Sequence, residues 1–209
     1  MKTIYLVRHG ETESNAASLV QDGASVLSDK GKQQAQVLSE RLRHLSHEHI
    51  LVSDYVRTRQ TVEPFLQHTT VEPTYTHLVR ETKRPSKYVG IYSESDEYQS
   101  YLKLTDEKIF DASWRHSDEE NFHDIVERVK EFFKHIDSLE GDTIVVSHGR
   151  FITYITMYVI LSGHLTPDIW LHAKHSFQPL NTGITMLRFD DKHQHWALRT
   201  FNDHAHFAE

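Results

Sequence analysis

The stretch MKTIYLVRHGETESN (Met1–Asn15) guides the interpretation of the whole chain. Thr3–Val7 is rich in β-branched and aromatic residues, which predicts a buried strand. The strand stops at Arg8, His9 and Gly10. A surface loop would give this pattern, and so would a strand end that delivers a nucleophile beside a phosphate-binding arginine. The remaining sequence has to distinguish the two.

The composition is that of a globular protein with one sizeable core. The chain has 209 residues, of which 38% are hydrophobic and 25% charged. A formal net charge of −7 argues against nucleic acid or anionic membrane as a partner. The absence of cysteine excludes disulfides, thiolate zinc sites and a cysteine nucleophile.

No targeting segment, membrane span or metal site is predicted. The N-terminal apolar run ends at Arg8, and the longest apolar stretch, Phe151–Leu161, is well short of the roughly 20 residues that span a bilayer. We therefore expect a cytoplasmic protein. His204 and His206 in the tail lack further ligands, so we expect a plain polar tail there.

Strand and helix patterns alternate along the chain. The predicted strands are Thr3–Val7, Ile50–Ser53, Thr143–Ser147, Ile184–Phe189 and Trp196–Phe201. Helical spacing follows Ser28 through Ala35, Leu38, Leu42 and Leu45, and recurs at Phe122, Ile125, Val129, Phe132 and Ile136 and in Arg150–Leu161.

This alternation predicts an α/β fold: a three-layer α/β/α sandwich with a mostly parallel sheet and one antiparallel edge strand. The short Asp190–Gln194 connection predicts an antiparallel hairpin of the last two strands. We expect a single domain over residues 1–209. Within it, residues 82–120, rich in charge, tyrosine and serine, are predicted to form a cap insertion.

Charged and titratable residues follow three of the predicted strands. Arg8 and His9 follow the first, Arg57 comes four residues after the second, and His148, Gly149 and Arg150 follow the third. Carboxyl ends of parallel strands meet at one edge of a sheet, so two histidines and two arginines are expected to converge. In a chain with 17 histidines a single His-Gly pair arises easily by chance, but two at matching strand ends favour a site.

These residue types suit phosphoryl transfer. Arginine grips a phosphate through two parallel hydrogen bonds, and a neutral imidazole can attack phosphorus to give a phosphohistidine. A second histidine can stabilise the transition-state charge. The glycine after each histidine is expected to let the backbone approach the phosphate, and the helix starting near Arg150 to aim its N-terminus at the anion.

The motifs also resemble a known family. LVRHGETESN is similar to the signature of the histidine phosphatase superfamily, the phosphoglycerate mutase-like proteins. The resemblance continues almost to the end of the chain, through LSDKGKQQA (27–35), SDYVRTRQT (53–61), LVRET (78–82), VVSHG (145–149), LNTGITML (180–187) and FNDHAHF (201–207).

The resemblance implies a role for each matching position. His9 would be the nucleophile, and Glu81 would be the general acid and then the base. The phosphate pocket would consist of Arg8, Asn15, Arg57, His148 and Gly149. Two alternatives stay open: Glu81 could be a solvated glutamate in a charged run, and Glu11 could be the acid instead. Thr12 could add a hydrogen bond or serve only as a turn residue.

The expected function is a metal-independent, cofactor-free phosphatase that hydrolyses phosphomonoesters of small metabolites through a phosphohistidine. Mutases of the family usually carry tryptophan before the asparagine of the first motif, whereas Ser14 precedes Asn15 here. A phosphoglycerate-type mutase and a catalytically weak binder of phosphorylated ligands remain alternatives. The sequence leaves open monomer or homodimer, and whether the cap cations Lys83, Arg84, Lys87 and Arg115 contact substrate.

Overall fold

The computed structural model of the protein describes residues 2–207. The strands are β1 (Thr3–Arg8), β2 (His49–Ser53), β3 (Pro73–Thr76), β4 (Thr143–Ser147), β5 (Ile184–Asp190) and β6 (His195–Asp203). The α-helices are α1 (Glu13–Ala16), α2 (Asp29–Leu42), α3 (Val56–Leu66), α4 (Asp96–Lys108), α5 (Phe122–Ser138), α6 (Gly149–Ile160) and α7 (Pro167–Ala173).

The six strands form one sheet in the order β3-β2-β4-β1-β5-β6. β1, β2, β3 and β4 are mutually parallel, whereas β5 runs antiparallel to both β1 and β6. The predicted mostly parallel α/β sheet and its closing hairpin are therefore confirmed. The antiparallel strand lies one position in from the edge, which β6 forms.

Helices cover both faces of this sheet because its central strands bury alternate residues on opposite sides. Ile4 and Leu6 belong to a core cluster with α5 and α6, while Tyr5 and Val7 pack with α2 and α3. This confirms the three-layer arrangement. α6 is buried on nearly all sides, and within residues 2–207 no helix is both long and apolar enough to cross a membrane.

The predicted helix signals correspond to real helix ends and faces. The Ser28 hydroxyl accepts a hydrogen bond from Gly31 N at 3.0 Å and caps α2. Asn121 and Asp124 form a reciprocal capping box at the start of α5. The predicted apolar positions of α5 are all buried: Phe122, Ile125, Val129, Phe132 and Ile136.

Residues 82–120 contain α4 and a 3-10 turn at Ser86–Tyr88. Three tyrosines of this segment, Tyr88, Tyr98 and Tyr101, form a small buried cluster with Val20. Val20 N donates to Ile91 O and Gly90 N donates to Val20 O, both at 2.9 Å. The segment is thus held against the loop after α1.

The backbone of the loop after β1 lies directly against the backbone at the start of α2. A Cβ at Gly31 would lie 1.9 Å from Glu11 O, and one at Gly10 would lie 2.7 Å from Gly31 O. Only glycine fits at these two positions without displacing backbone. The contact with α2 therefore requires glycine at position 10. This requirement is separate from the expected approach of the Gly10 backbone to a phosphate.

Gly31→Ala is expected to lower the free energy of unfolding by about 3 kcal/mol or more, because the new methyl meets fixed backbone. In an open helix the same change would stabilise by about 1 kcal/mol. Gly90→Ala is the matched control, since nothing lies within 4 Å of its Cβ and only its φ of +81° opposes the change. Its cost should be about 1 kcal/mol. Urea denaturation measures both, and equal losses would contradict the packing argument.

Candidate active site

Parallel pairing brings three strand ends to one edge of the sheet. β4 lies between β1 and β2, and Arg8 is paired with Ser147 at the carboxyl ends of β1 and β4. His9 and His148 follow directly, and their ring centroids are 5.2 Å apart. The expected convergence of the two histidines is therefore present.

The backbone and ring of His9 are both held by hydrogen bonds. His9 N donates to Ser147 O at 3.0 Å, and its carbonyl accepts from Asn181 Nδ2 at 2.9 Å. The ring Nδ1 lies 2.7 Å from Gly10 O. Because a carbonyl only accepts, Nδ1 carries the hydrogen and Nε2 keeps its lone pair.

His148 is fully buried, and its Nε2 lies 2.8 Å from Ser53 Oγ. Burial lowers the pKa of His148 well below its ordinary value of 6.5, and the positive charge of Arg57 lowers it further. Burial, then Arg57 and Arg8, lower the pKa of His9 in the same way. Both rings are therefore neutral near neutral pH, as a nucleophile requires.

Arg8 and Arg57 flank the two rings and are each tethered by one hydrogen bond. Arg8 Nη1 donates to Pro179 O at 2.7 Å, and Arg57 Nη1 donates to Asp22 O at 2.5 Å. Burial lowers the pKa of Arg8, and burial also lowers the pKa of Arg57 to about 10. Both guanidinium groups stay cationic near neutral pH. A Cβ at Gly149 would lie 3.2 Å from Arg8 Nε, so glycine there leaves room for the guanidinium.

Three buried nitrogens of this cluster have no hydrogen-bond partner within residues 2–207: Arg8 Nε, Arg57 Nε and His148 Nδ1. Buried polar groups in folded proteins are nearly always paired, so orphans gathered at one place call for an explanation. Two of the three belong to permanent cations, and the ligand that suits them is an anion with several acceptor oxygens.

Glu81 lies at the same site, at the start of α6. Its carboxylate accepts from the backbone N–H groups of Phe151 at 3.1 Å and Arg150 at 3.2 Å. The N-cap residue, His148, makes no side-chain capping bond, so Glu81 supplies the cap. Glu81 is therefore not a free solvated glutamate. It also occupies helix N–H groups that were expected to face the phosphate.

The loop that carries Glu81 is fixed from two sides. Ser147 Oγ donates to Val79 O at 2.7 Å, directly beneath the site. Arg128 Nη1 donates to Leu78 O at 3.2 Å and to Arg80 O at 2.8 Å. The carboxylate of Glu81 is thus held in place through its backbone.

The remaining candidates, Glu11, Asn15 and Thr12, lie in different surroundings from one another. Glu11 pairs with Lys30 at 2.8 Å and accepts from Ser28 Oγ at 3.1 Å, and it does not line the cleft. Asn15 lines the cleft, while its Oδ1 accepts from Thr12 N at 3.2 Å. Thr12 is the N-cap of α1, which explains it as a structural residue.

A cleft of about 540 Å³ is lined by His9, Arg8 and Arg57, while His148 lies outside its lining. Of the four cap cations, Lys83 and Arg84 line it. Lys83 pairs with Asp118 at 3.1 Å, Arg115 pairs with Asp124, and Lys87 lies 4.5 Å from the centroid of the Tyr88 ring. No group of three or more His, Asp or Glu side chains within the described residues is arranged to hold a metal ion.

Sequence reasoning missed Ser53 and Arg128. Ser53 was assigned to a strand end, yet it is completely buried and holds the second histidine. A polar residue that closes an apolar strand beside a predicted site was the available signal. Arg128 gave no comparable signal, because its contacts with the Glu81 loop are to backbone 48 and 50 residues away.

The chain belongs to the histidine phosphatase superfamily (branch 1), whose sequence model matches residues 4–204. It is 28% identical over 223 residues to a probable phosphoglycerate mutase GpmB of Salmonella arizonae, which covers 99% of this chain and 95% of that protein. It is 44% identical over 82 residues to the protein of the same name from Salmonella choleraesuis. That second match spans only 38% of the relative and 39% of this chain.

The fold is also similar to a solved structure, the phosphoserine phosphatase of Entamoeba histolytica in complex with 3-phosphoglyceric acid. The TM-score is 0.76, with 22% identity over 99% of each chain.

The buried histidines should make the fold sensitive to acid. Below about pH 6.5, His9 and His148 take up protons in the unfolded chain but not in the folded protein, where they are buried. The free energy of unfolding therefore falls as the pH falls. Each histidine contributes up to about 1.4 kcal/mol per pH unit. His148→Gln should therefore show a shallower loss of unfolding free energy between about pH 6.5 and about pH 5.5.

The control for this experiment is His172→Gln, since the His172 side chain is 78% exposed. Urea denaturation at each pH should give this variant the wild-type slope. If the free energy of unfolding fell equally steeply with pH in the wild type and in His148→Gln, then His148 would take up its proton in the folded protein as well.

Proposed function

We propose that the protein is a phosphatase that hydrolyses phosphomonoesters of small molecules through a covalent phosphohistidine at His9. One observation carries the proposal: His9, whose Nε2 keeps its lone pair, belongs to the same cluster as three buried nitrogens that lack acceptors, on Arg8, Arg57 and His148. A phosphoryl group supplies both an electrophilic phosphorus and the missing acceptor oxygens.

Binding would rest on charge-assisted hydrogen bonds. Arg8 and Arg57 donate to the phosphoryl oxygens, and the Asn15 amide adds a neutral donor. His148 donates from Nδ1 when its Nε2 accepts from the Ser53 hydroxyl. The Ser53 hydroxyl, which can donate, is thus compatible with the tautomer of His148 that a phosphate needs.

The reaction would take place in two displacements. His9 Nε2 attacks phosphorus, the N–P bond forms and the bond to the ester oxygen breaks, while Glu81 protonates the departing alcohol. Water then attacks the phosphohistidine, Glu81 removes its proton, and the N–P bond breaks to release phosphate. His148, Arg8 and Arg57 stabilise the charge that spreads over the three equatorial oxygens in both steps.

Phosphoglycerate mutase is the second candidate, because the curated relatives carry that name. A mutase would transfer the phosphoryl group from the histidine to an alcohol instead of to water. Ser14 lines the cleft where mutases of the family usually have tryptophan, and this favours hydrolysis. A binding protein without turnover would have no need of a neutral, oriented His9.

Wild-type protein is expected to release inorganic phosphate from a panel of phosphomonoesters in the presence of EDTA. His9→Ala should reduce kcat/KM on the order of a thousandfold or more, since it removes the nucleophile. Free phosphate is measured in both cases.

Equal rates for wild type and His9→Ala would refute the phosphohistidine. Absence of release from every ester would refute hydrolysis. A transfer assay primed with a bisphosphoglycerate would then separate the mutase from a binding protein.

Glu81→Gln should lower kcat/KM about a hundredfold for an alkyl phosphate but much less for para-nitrophenyl phosphate, because only the alkoxide needs protonation as it leaves. Glu11→Gln is the matched control, since Glu11 faces Ser28 and Lys30 outside the cleft. It should keep wild-type rates on both substrates. An equal loss on both esters for Glu81→Gln would assign Glu81 to capping α6 rather than to proton transfer.

A further inference from the structure

The cleft contains two arginines beyond those that flank the histidine pair. Arg84 and Arg150 both line it, together with Arg8 and Arg57. Neither Arg84 nor Arg150 has a carboxylate within ion-pair distance in the described part of the chain. Nearby arginines outside the cleft do: Arg80 pairs with Asp54, Arg115 with Asp124 and Arg128 with Glu120.

The surroundings of this pair are mostly aromatic, and Glu81, whose negative charge acts on both arginines, is not within ion-pair distance of either. Arg150 lies 5.9 Å from the Trp170 ring centroid, and Arg84 interacts with the hydroxyls of Tyr98 and Tyr101. Burial lowers the pKa of Arg150, and the positive charge of Arg84 lowers it further, so the two cations repel each other. Burying such a pair is costly unless an anion accompanies it.

Acidic groups in the cleft do not offset the positive charge. Five cationic side chains line the cleft, and one of them, Lys83, is paired with Asp118, which does not line it; the two carboxylates that line the cleft are Asp22 and Glu81. Glu81 accepts from the N-terminal N–H groups of α6, and Asp22 accepts from the backbone of Ala24 and Ser25. Arg84 and Arg150 therefore add positive charge to that of Arg8 and Arg57, the two arginines that would hold the phosphoryl group.

A third polar group points to a ligand at the same place. Thr82 is 5% exposed, and its hydroxyl has no hydrogen-bond partner among residues 2–207. Thr82, Arg84 and Arg150 line both the cleft and an adjoining cavity of about 300 Å³. These three residues thus form the boundary between the two spaces.

We infer that Arg84, Arg150 and Thr82 form a second anion subsite that binds an acidic group on the alcohol part of the substrate. The inference rests on the proposed phosphatase function and narrows its substrate class to phosphomonoesters that carry a second oxyanion. A carboxylate and a second phosphate share the necessary chemistry, because both offer several oxygens to two guanidinium groups and a hydroxyl.

The test uses matched esters that differ only at the end remote from the phosphomonoester: hydroxyethyl phosphate, phosphoglycolate and ethylene glycol bisphosphate, with their three- and four-carbon homologues. The homologues sample the separation between the two anion sites. Wild-type kcat/KM should be at least about tenfold higher for one of the doubly anionic series than for the hydroxyl series. The better of the two identifies the second group as carboxylate or phosphate.

Arg84→Gln and Arg150→Gln should each reduce this preference to about twofold or less, and Arg150→Lys should restore part of it. The control is Lys87→Gln, because Lys87 lies against Tyr88 and does not line the cleft, and it should keep the wild-type ratio. A wild type that treats the three series alike, or glutamine variants that keep the preference, would overturn the subsite.

Binding to His9→Ala separates this inference from the proposed function. Failure to hydrolyse any ester, para-nitrophenyl phosphate included, refutes the phosphatase. In that case the affinity of His9→Ala for the same esters, measured by calorimetry, still tests the second anion subsite. Tighter binding of the doubly anionic esters that Arg84→Gln abolishes supports it, and equal binding of all three series refutes it.

Discussion

The parallel pairing of β1 with β4 determines the geometry of the site. Arg8 is paired with Ser147, so the residue that follows each strand is a histidine, and the centroids of the two tilted rings lie 5.2 Å apart. The Ser147 carbonyl accepts from His9 N, while the Ser147 hydroxyl donates to the loop before Glu81. One residue at the end of β4 therefore connects the nucleophile candidate, its partner histidine and the acid candidate. A slip of one residue would turn every side chain of β1 to the opposite face.

The electrostatic interactions of this arrangement are unfavourable and lower the stability of the folded protein. Two neutral histidines and several arginines lie together with few carboxylates, and burial opposes the charged form of every one of them. The three-layer core supplies the stability that offsets this cost, since its apolar residues cover both faces of the sheet beneath the site. Although the chain carries a formal charge of −7, its cleft is positive, which would attract a small anion at short range.

How much of this could be predicted depends on whether the signal was local. β1 and β4 have apolar, β-branched sequences, and the histidines follow them directly, so both the strands and the convergence were predictable. β3 was missed because Pro73–Thr76 is short, starts with proline and lies half-exposed at the sheet edge, so no apolar run reveals it. α7 was missed because only Trp170 of its seven residues is buried.

The reasons behind single residues were harder to predict than their positions. Gly10 was expected to admit a phosphate, yet the close neighbour of its missing Cβ is the backbone of Gly31. That contact joins residues from two separate elements, and no local pattern encodes it.

The N-terminus of α6 combines a helix start that the local sequence predicts with a capping residue that lies far away in the sequence. It was expected to face the phosphate, but Glu81, some seventy residues earlier, takes two of its N–H groups. In the proposed reaction Glu81 has to carry a proton before the alcohol leaves and again after water attacks. A protonated carboxyl is a weaker acceptor than a carboxylate, so the capping of α6 would weaken whenever Glu81 holds its proton. The positive end of the helix would then be less fully screened before the alcohol leaves, and it would be screened again once Glu81 has given up its proton. The same N–H groups would thus stabilise the carboxylate that forms as Glu81 gives its proton to the leaving alcohol, and this gives a chemical reason for placing the acid at the end of a helix.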